Sequence, residues 1–174
     1  MKKLIIFLPV VALFAFEISS QYNEGKKLPS VKIKDVDGNL VNTAEVSNNG
    51  NPIVLFFWVS NCKTCNSELN IIAEEYRAWQ EETGVKIIVV SVDDQKTAGS
   101  VAVMANAADW EFEIWMDPNG EFKRALGVNY TPHTFLLDGE GTIVYSHNNF
   151  FPGDEEVLYD KIVEVSYKYN AVSK

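Results

Sequence analysis

Trp58-Val59-Ser60-Asn61-Cys62-Lys63-Thr64-Cys65 joins two patterns of different period, and the fold follows from that join. Upstream, Ile53 to Val59 is an unbroken apolar run, too short for a helix and rich in β-branched and aromatic residues. That composition predicts a strand buried on both faces. Downstream, Leu69, Ile72, Ala73, Tyr76 and Trp79 recur at helical spacing, predicting a helix from about Cys62 to Glu82 that Thr83-Gly84 stops. The Cys-x-x-Cys pair therefore stands where a buried strand hands over to a helix. The first-turn N–H groups of a helix lack intrahelical partners and carry partial positive charge, so they favour a thiolate at Cys62. Lys63 adds a nearby positive charge in the same sense. Cys65 lies almost one turn further in and is expected to be more buried. Cys62 is then the attacking sulfur, and Cys65 can reach back to close a disulfide with it.

The rest of the chain fits an α/β domain with one sheet between helices. Val31 to Val41 alternates around Asp37-Gly38, a hairpin signal, and a polar loop runs from Thr43 to Asn51. Val85 to Val92 reads as a second buried strand and Gln95 to Ala108 as a helix. Glu113 to Met116 is a short strand, followed by the turn Asp117-Pro118-Asn119-Gly120 and a brief helix ending at Leu126-Gly127. Phe135 to Asp138 and Thr142 to Ser146 flank Gly139-Glu140-Gly141 as a late hairpin. Asp154 to about Tyr169 closes the chain as a helix, with Val157, Leu158, Ile162 and Val165 on one face. Strands alternating with helices give a parallel core, and the late hairpin makes the sheet mixed.

Length and composition limit the function. The 174 residues, 47% hydrophobic and 22% charged, suit one domain with a real core. A net charge of −9 repels a phosphate backbone, so no nucleic-acid partner is expected. Met1-Lys2-Lys3, the 13-residue apolar run Leu4 to Phe16 and the small residues after it form the pattern of a secretory signal peptide over 1–20. The run is shorter than the roughly 20 apolar residues of a spanning helix, which favours cleavage after Ser20 over an uncleaved N-terminal anchor. The mature single domain, 21–174, then carries a net charge of −10 and works in the periplasm or outside the cell, where disulfides persist.

With two cysteines in the chain, three blander readings compete with a redox-active dithiol. A zinc site needs further ligands, and only His133 and His147 are on offer, neither at ligand spacing. A structural staple closing so small a loop removes little unfolded-chain entropy. A peroxidase would carry Thr or Ser three residues before its cysteine, where this chain has Val59.

On these residues the chain resembles thioredoxin-like proteins, specifically the secreted TlpA/ResA type of thiol–disulfide oxidoreductase. The N-terminal hairpin, the Phe57-Trp58 pair and Gly127-Val128-Asn129-Tyr130-Thr131-Pro132 all fit that type, over roughly Leu28 to Tyr169. The resemblance implies a thioredoxin-like fold: a central mixed sheet flanked by helices, with the hairpin as an N-terminal extension. It implies a cis Thr131–Pro132 bond beside the cysteine pair, with Trp58, Thr131 and Pro132 at the substrate face, where a peptide pairs like an added strand. An ordinary turn proline is the competing reading of Pro132. The implied function is an extracytoplasmic enzyme that exchanges disulfides with protein substrates, as a reductant, for instance in cytochrome c maturation. A membrane-embedded electron donor would recharge it; it needs no cofactor and works as a monomer.

Departures from the type fall at Asn61, Thr64 and Phe56. Trp and Pro usually stand at the first two of these positions, and thioredoxins carry a buried Asp at the third. Glu68 is the candidate replacement for that acid, three residues after Cys65 and on the stripe with Leu69, Ile72 and Tyr76. Facing the core, its carboxyl would have a raised pKa and could carry the Cys65 proton. The competing reading is an exposed acid at a helix start. His133 has two readings, a group that contacts substrate or tunes Cys62 and a solvated strand residue, while Asp93-Asp94, Trp110 and Trp115 are read as turn and core. A second function class uses Cys62, Cys65 and His133 as a copper or zinc binding or chaperone module, since soft thiolates suit Cu(I).

Overall fold

The computed structural model describes residues 23–172, so the signal sequence expected over 1–20 lies outside the described residues. The strands are β1 (Lys32–Asp35), β2 (Leu40–Asn42), β3 (Ile53–Trp58), β4 (Lys86–Ser91), β5 (Glu113–Met116), β6 (His133–Leu137) and β7 (Ile143–Asn148). The helices are α1 (Lys63–Thr83), α2 (Val101–Ala107), α3 (Glu121–Ala125) and α4 (Asp154–Val172). One sheet holds every strand in the order β2-β1-β5-β4-β3-β6-β7. β3, β4 and β5 run parallel, while β6, β7 and the β1–β2 hairpin are antiparallel additions at either side.

β3 is apolar throughout because both its faces are covered, and every residue in it is at most 1% exposed. Val54, Phe56 and Trp58 point to the side of α1 and α4, with Val89 of β4 and Leu136 of β6. Ile53, Leu55 and Phe57 point to the opposite side, with Phe122, Val128 and Ile33 of the hairpin. α1 buries Cys65, Glu68, Leu69, Ile72, Tyr76 and Trp79 on one stripe. It ends where Gly84 takes φ +69°; a larger residue would be strained there, and its Cβ, within 2.8 Å of the Asn51 side chain, would push that side chain aside.

Two elements depart from the sequence reading. The helix expected from Gln95 to Ala108 is a 3-10 turn, Ala98–Ser100, followed by the short α2. The Asp94 carboxylate accepts the N–H groups of Lys96 and Thr97, at 2.9 and 3.1 Å. That is cap-like bonding at a turn start, but Gly99 in the 3-10 turn that follows weakens any α-helix through it. On α4, Leu158, Ile162 and Val165 pack inward but Val157 is 47% exposed, because it lies one residue out of phase with that stripe.

Candidate active site

The C-terminal end of β3 delivers the chain into a tightly tied turn. The Cys62 N–H donates to the Val59 carbonyl at 3.0 Å. Asp93, just past β4, accepts the Ser60 N–H at 2.8 Å, the Ser60 hydroxyl at 2.5 Å and the Ser91 hydroxyl at 3.0 Å. Asn66, in the first turns of α1, accepts the Trp58 indole N–H at 2.7 Å and donates to the Ser60 carbonyl at 3.2 Å. Trp58, expected at the substrate face, is therefore a correction: it is fully buried, edge-on to Trp110 at 5.5 Å. It supports the turn from beneath. Asp93's role escaped the sequence reading because its bonds to Ser60 depend on the pairing of Trp58 with Ser91 across the sheet, and Asn66's because its bonds depend on the shape of the turn between β3 and α1.

Cys62 is the N-cap of α1, and its Sγ accepts the Cys65 N–H at 3.1 Å. That N–H is one of the unpaired donors of the helix start. The two cysteines form a disulfide with their Cα atoms 5.3 Å apart. Cys62 is partly exposed and Cys65 wholly buried, so an incoming sulfur can approach only the first of them. Lys63 and Thr64 between them are exposed.

Glu68 lies one turn beyond, on the inner face of α1, only 3% exposed, with Oε2 buried and without a hydrogen-bond partner. Burial, and then the negative charges of Asp154 and Glu155 at the start of α4, push its carboxyl up to about 8. The geometry is that of a core-facing carboxyl and not of an exposed helix-start acid. Asp154 is itself fixed, accepting the Phe151 N–H at 2.7 Å and pairing with His147 at 3.1 Å.

The Thr131–Pro132 bond is cis. His133 pairs with Phe57 of β3, which sets Pro132 level with Trp58 at the sheet end that carries the cysteine turn. Pro132 is buried and Thr131 half-buried, and the Pro132 carbonyl accepts the Asn149 N–H at 3.1 Å. His133 itself is buried, against the expectation of a solvated residue. Its ring stacks on Phe135 at 4.3 Å and its Nε2 meets the Ser146 hydroxyl at 2.9 Å. Burial, then His147, lower its pKa to about 4, with Asn148 opposing. Phe135 belongs to the core on the far side of the sheet from Cys65, so the ring does not complete a ligand set with the cysteines. Among the described residues no three His, Cys, Asp or Glu side chains are grouped to hold a metal ion.

The arrangement holds one approachable sulfur over a helix start, a second sulfur behind it, and a buried carboxyl one turn further along the same helix. Comparison with known proteins agrees. Residues 25–146 match the model of the AhpC/TSA family. The chain belongs to the AhpC/TSA family. A solution structure of an uncharacterized thioredoxin-like protein from Porphyromonas gingivalis is 41% identical, covering 81% of this chain and 92% of that one with a TM-score of 0.74. The thiol-disulfide oxidoreductase ResA of Bacillus thuringiensis subsp. konkukian is 29% identical over 69% of this chain. The match spans 66% of that relative, just under two thirds of its length. The thiol:disulfide interchange protein DsbE of Tatumella citrea is 27% identical over the full length of both chains. Within the AhpC/TSA family, then, this chain is similar to proteins named for thiol–disulfide exchange, and its mixed sheet with an N-terminal hairpin is a thioredoxin-like fold.

Proposed function

We propose that this chain is a thiol–disulfide oxidoreductase of the ResA/DsbE kind, exchanging disulfides with protein substrates outside the cytoplasm and acting as a reductant. The observation that supports it most is the Cys62–Cys65 disulfide at the start of α1, with the Cys65 N–H on Cys62 Sγ and Glu68 buried one turn below. In the reduced state the Cys62 thiolate attacks a substrate disulfide, forming a mixed disulfide and releasing one substrate thiolate. Glu68 then takes the Cys65 proton, and the Cys65 thiolate attacks Cys62 sulfur. The second substrate thiolate leaves, and the Cys62–Cys65 disulfide remains. Thr131 and Pro132 hold the substrate backbone beside Cys62. Lys63 and the helix start keep that sulfur ionised.

A dithiol donor in the membrane restores the pair, and cytochrome c maturation is one process that consumes such reducing power. The signal sequence over 1–20 carries the protein across the membrane and is removed, leaving a soluble monomer. The test is reduction of a disulfide-bonded protein such as insulin by the purified mature chain with dithiothreitol as donor. Catalysis that disappears in Cys62→Ser is expected. A wild-type rate equal to dithiothreitol alone would contradict the reading.

A further inference from the structure

Ser60 stands two residues before Cys62, and each of its polar groups is engaged. Its N–H donates to Asp93 Oδ2 at 2.8 Å and its hydroxyl to Asp93 Oδ1 at 2.5 Å, so both oxygens of one carboxylate close on one residue. Its carbonyl accepts the Asn66 side-chain N–H at 3.2 Å. Asp93 is rooted in turn. Its Oδ2 accepts the Ser91 hydroxyl at 3.0 Å, and its own N–H donates to Ser91 Oγ at 3.2 Å. Ser91 ends β4 and pairs with Trp58, while the Val92 N–H donates to the Trp58 carbonyl at 2.8 Å. The stretch before Cys62 is thereby tied to the parallel sheet on one side and to α1 on the other.

A buried carboxyl without a cation is costly unless donors surround it. Asp93 is 1% exposed, and among the described residues no ion pair includes it. Two of the three donors around its oxygens belong to Ser60. The redox cycle shows what such a tie protects. In the oxidised protein the Cys62–Cys65 bond itself fixes Cys62. After reduction, the backbone on either side of Cys62 must keep its Sγ on the Cys65 N–H, at the N-cap of α1. Asn61 and Lys63, its direct neighbours, are exposed, and Ser60 is the nearest upstream residue whose side chain is held. A thiolate displaced from the helix start loses its stabilisation. A misplacement of about 1 Å can also cost roughly 100-fold in a reaction between positioned groups.

We propose that Asp93 is a positioning residue for Cys62. By clamping Ser60 it holds the reduced turn in the geometry of the oxidised one, with the Cys62 sulfur over the helix start and aligned for closure against Cys65. The inference rests on the oxidoreductase reading and adds to it a residue that acts through Ser60.

The test follows the reduced protein as it reacts with equimolar dithiobis(nitrobenzoate) in stopped flow. In the first phase Cys62 attacks the reagent, forms a mixed disulfide and releases one nitrothiobenzoate thiolate. In the second, Cys65 passes its proton to Glu68 and attacks the Cys62 sulfur; a second thiolate leaves as the Cys62–Cys65 disulfide closes. The pH midpoint of the first phase reads the Cys62 thiolate, and the rate of the second reads its placement. Asp93→Ala should raise the midpoint by about half a unit, the worth of a helix start, and slow closure by about tenfold or more. Asp93→Asn keeps one side-chain oxygen and should fall between that variant and wild type. Ser60→Ala leaves Asp93 the Ser60 N–H and the Ser91 hydroxyl and should slow closure by a smaller factor. Where Asp93→Ala yields no folded protein, the closure rate of Ser60→Ala decides. Thr83→Val is the control. It removes a buried hydroxyl that bonds the Trp79 carbonyl and the Val85 N–H at the far end of α1, so it should lower stability and leave both readouts at their wild-type values.

A midpoint and closure rate unchanged in Asp93→Ala and Ser60→Ala, or shifted equally in Thr83→Val, overturn the proposal. If wild type releases both thiolates and the variants match it, only the positioning role fails. If wild type never releases the second thiolate, the pair does not close by exchange and the oxidoreductase reading fails as well.

Discussion

At the scale of single residues, Glu68 and His133 are buried groups whose protonation burial shifts strongly, and they act in opposite directions on stability. Glu68, pushed up to about 8, holds its proton in the folded state where the unfolded chain has lost it. Stability contributed by the neutral carboxyl is therefore present below its unfolded value of 4.5 and lost as pH rises through about 8. His133, lowered to about 4 from 6.5, contributes stability above 6.5 that is lost as pH falls towards 4. Above 6.5 only the Glu68 effect remains. Denaturant unfolding of the oxidised protein should show stability declining between pH 6.5 and 8, and Glu68→Gln should flatten that slope. A wild-type slope that survives in the variant would remove Glu68 as its source.

The same carboxyl makes a kinetic prediction. Glu68→Gln should leave the first attack by Cys62 nearly intact but lengthen the life of the mixed disulfide, because Cys65 must lose its proton in a dry place. A positioned proton acceptor is worth about 10²–10⁴-fold, so stopped-flow traces should resolve the change; equal lifetimes at every pH would contradict the role. Asp154→Asn keeps a side-chain oxygen to accept the Phe151 N–H while removing a charge that raises Glu68. It should shift the pH dependence of resolution to lower pH, and an unshifted profile would show that Asp154 does not act on Glu68.

At the scale of elements, the turn between β3 and α1 depends on the Asp93 carboxylate, just past β4. Asp93→Ala would strip acceptors from the Ser60 N–H, the Ser60 hydroxyl and the Ser91 hydroxyl. Each buried donor left unpaired costs roughly 1–3 kcal/mol, so a loss of about 3 kcal/mol in unfolding free energy is expected, with slower thiol exchange. Unchanged stability would mean that water replaces the carboxylate. This dependence could not be read in sequence, since it exists only through the β3–β4 register. What could be read was local: the apolar run of β3, the helical stripe of α1, the glycine stop at Gly84 and the cysteine pair between them, where period and chemistry agree. Glu68 was legible for the same reason, sharing the stripe of Leu69 and Ile72. The helix over Gln95 to Ala108 misled because Gly99 weakens its first turns, which stay 3-10. His133 misled because its alternation is that of a strand with both faces covered.

At the scale of the molecule, the layers divide the labour. β3 brings the helix start, and antiparallel β6 the cis-proline loop, to one end of the sheet, α1 and α4 enclose Glu68 on one face, and the hairpin completes the other face with Ile33. The central claim is that this division gives the cysteines different tasks, with Cys62 partly exposed and Cys65 buried. The direct measurement is the yield of mixed disulfide trapped on a peptide disulfide by Cys65→Ser and by Cys62→Ser, with the sulfur identified by mass spectrometry. Cys65→Ser should accumulate the adduct on Cys62, because the resolving thiol is gone, and Cys62→Ser should trap almost nothing. Accumulation on Cys65 instead would mean that the active site works in the reverse orientation.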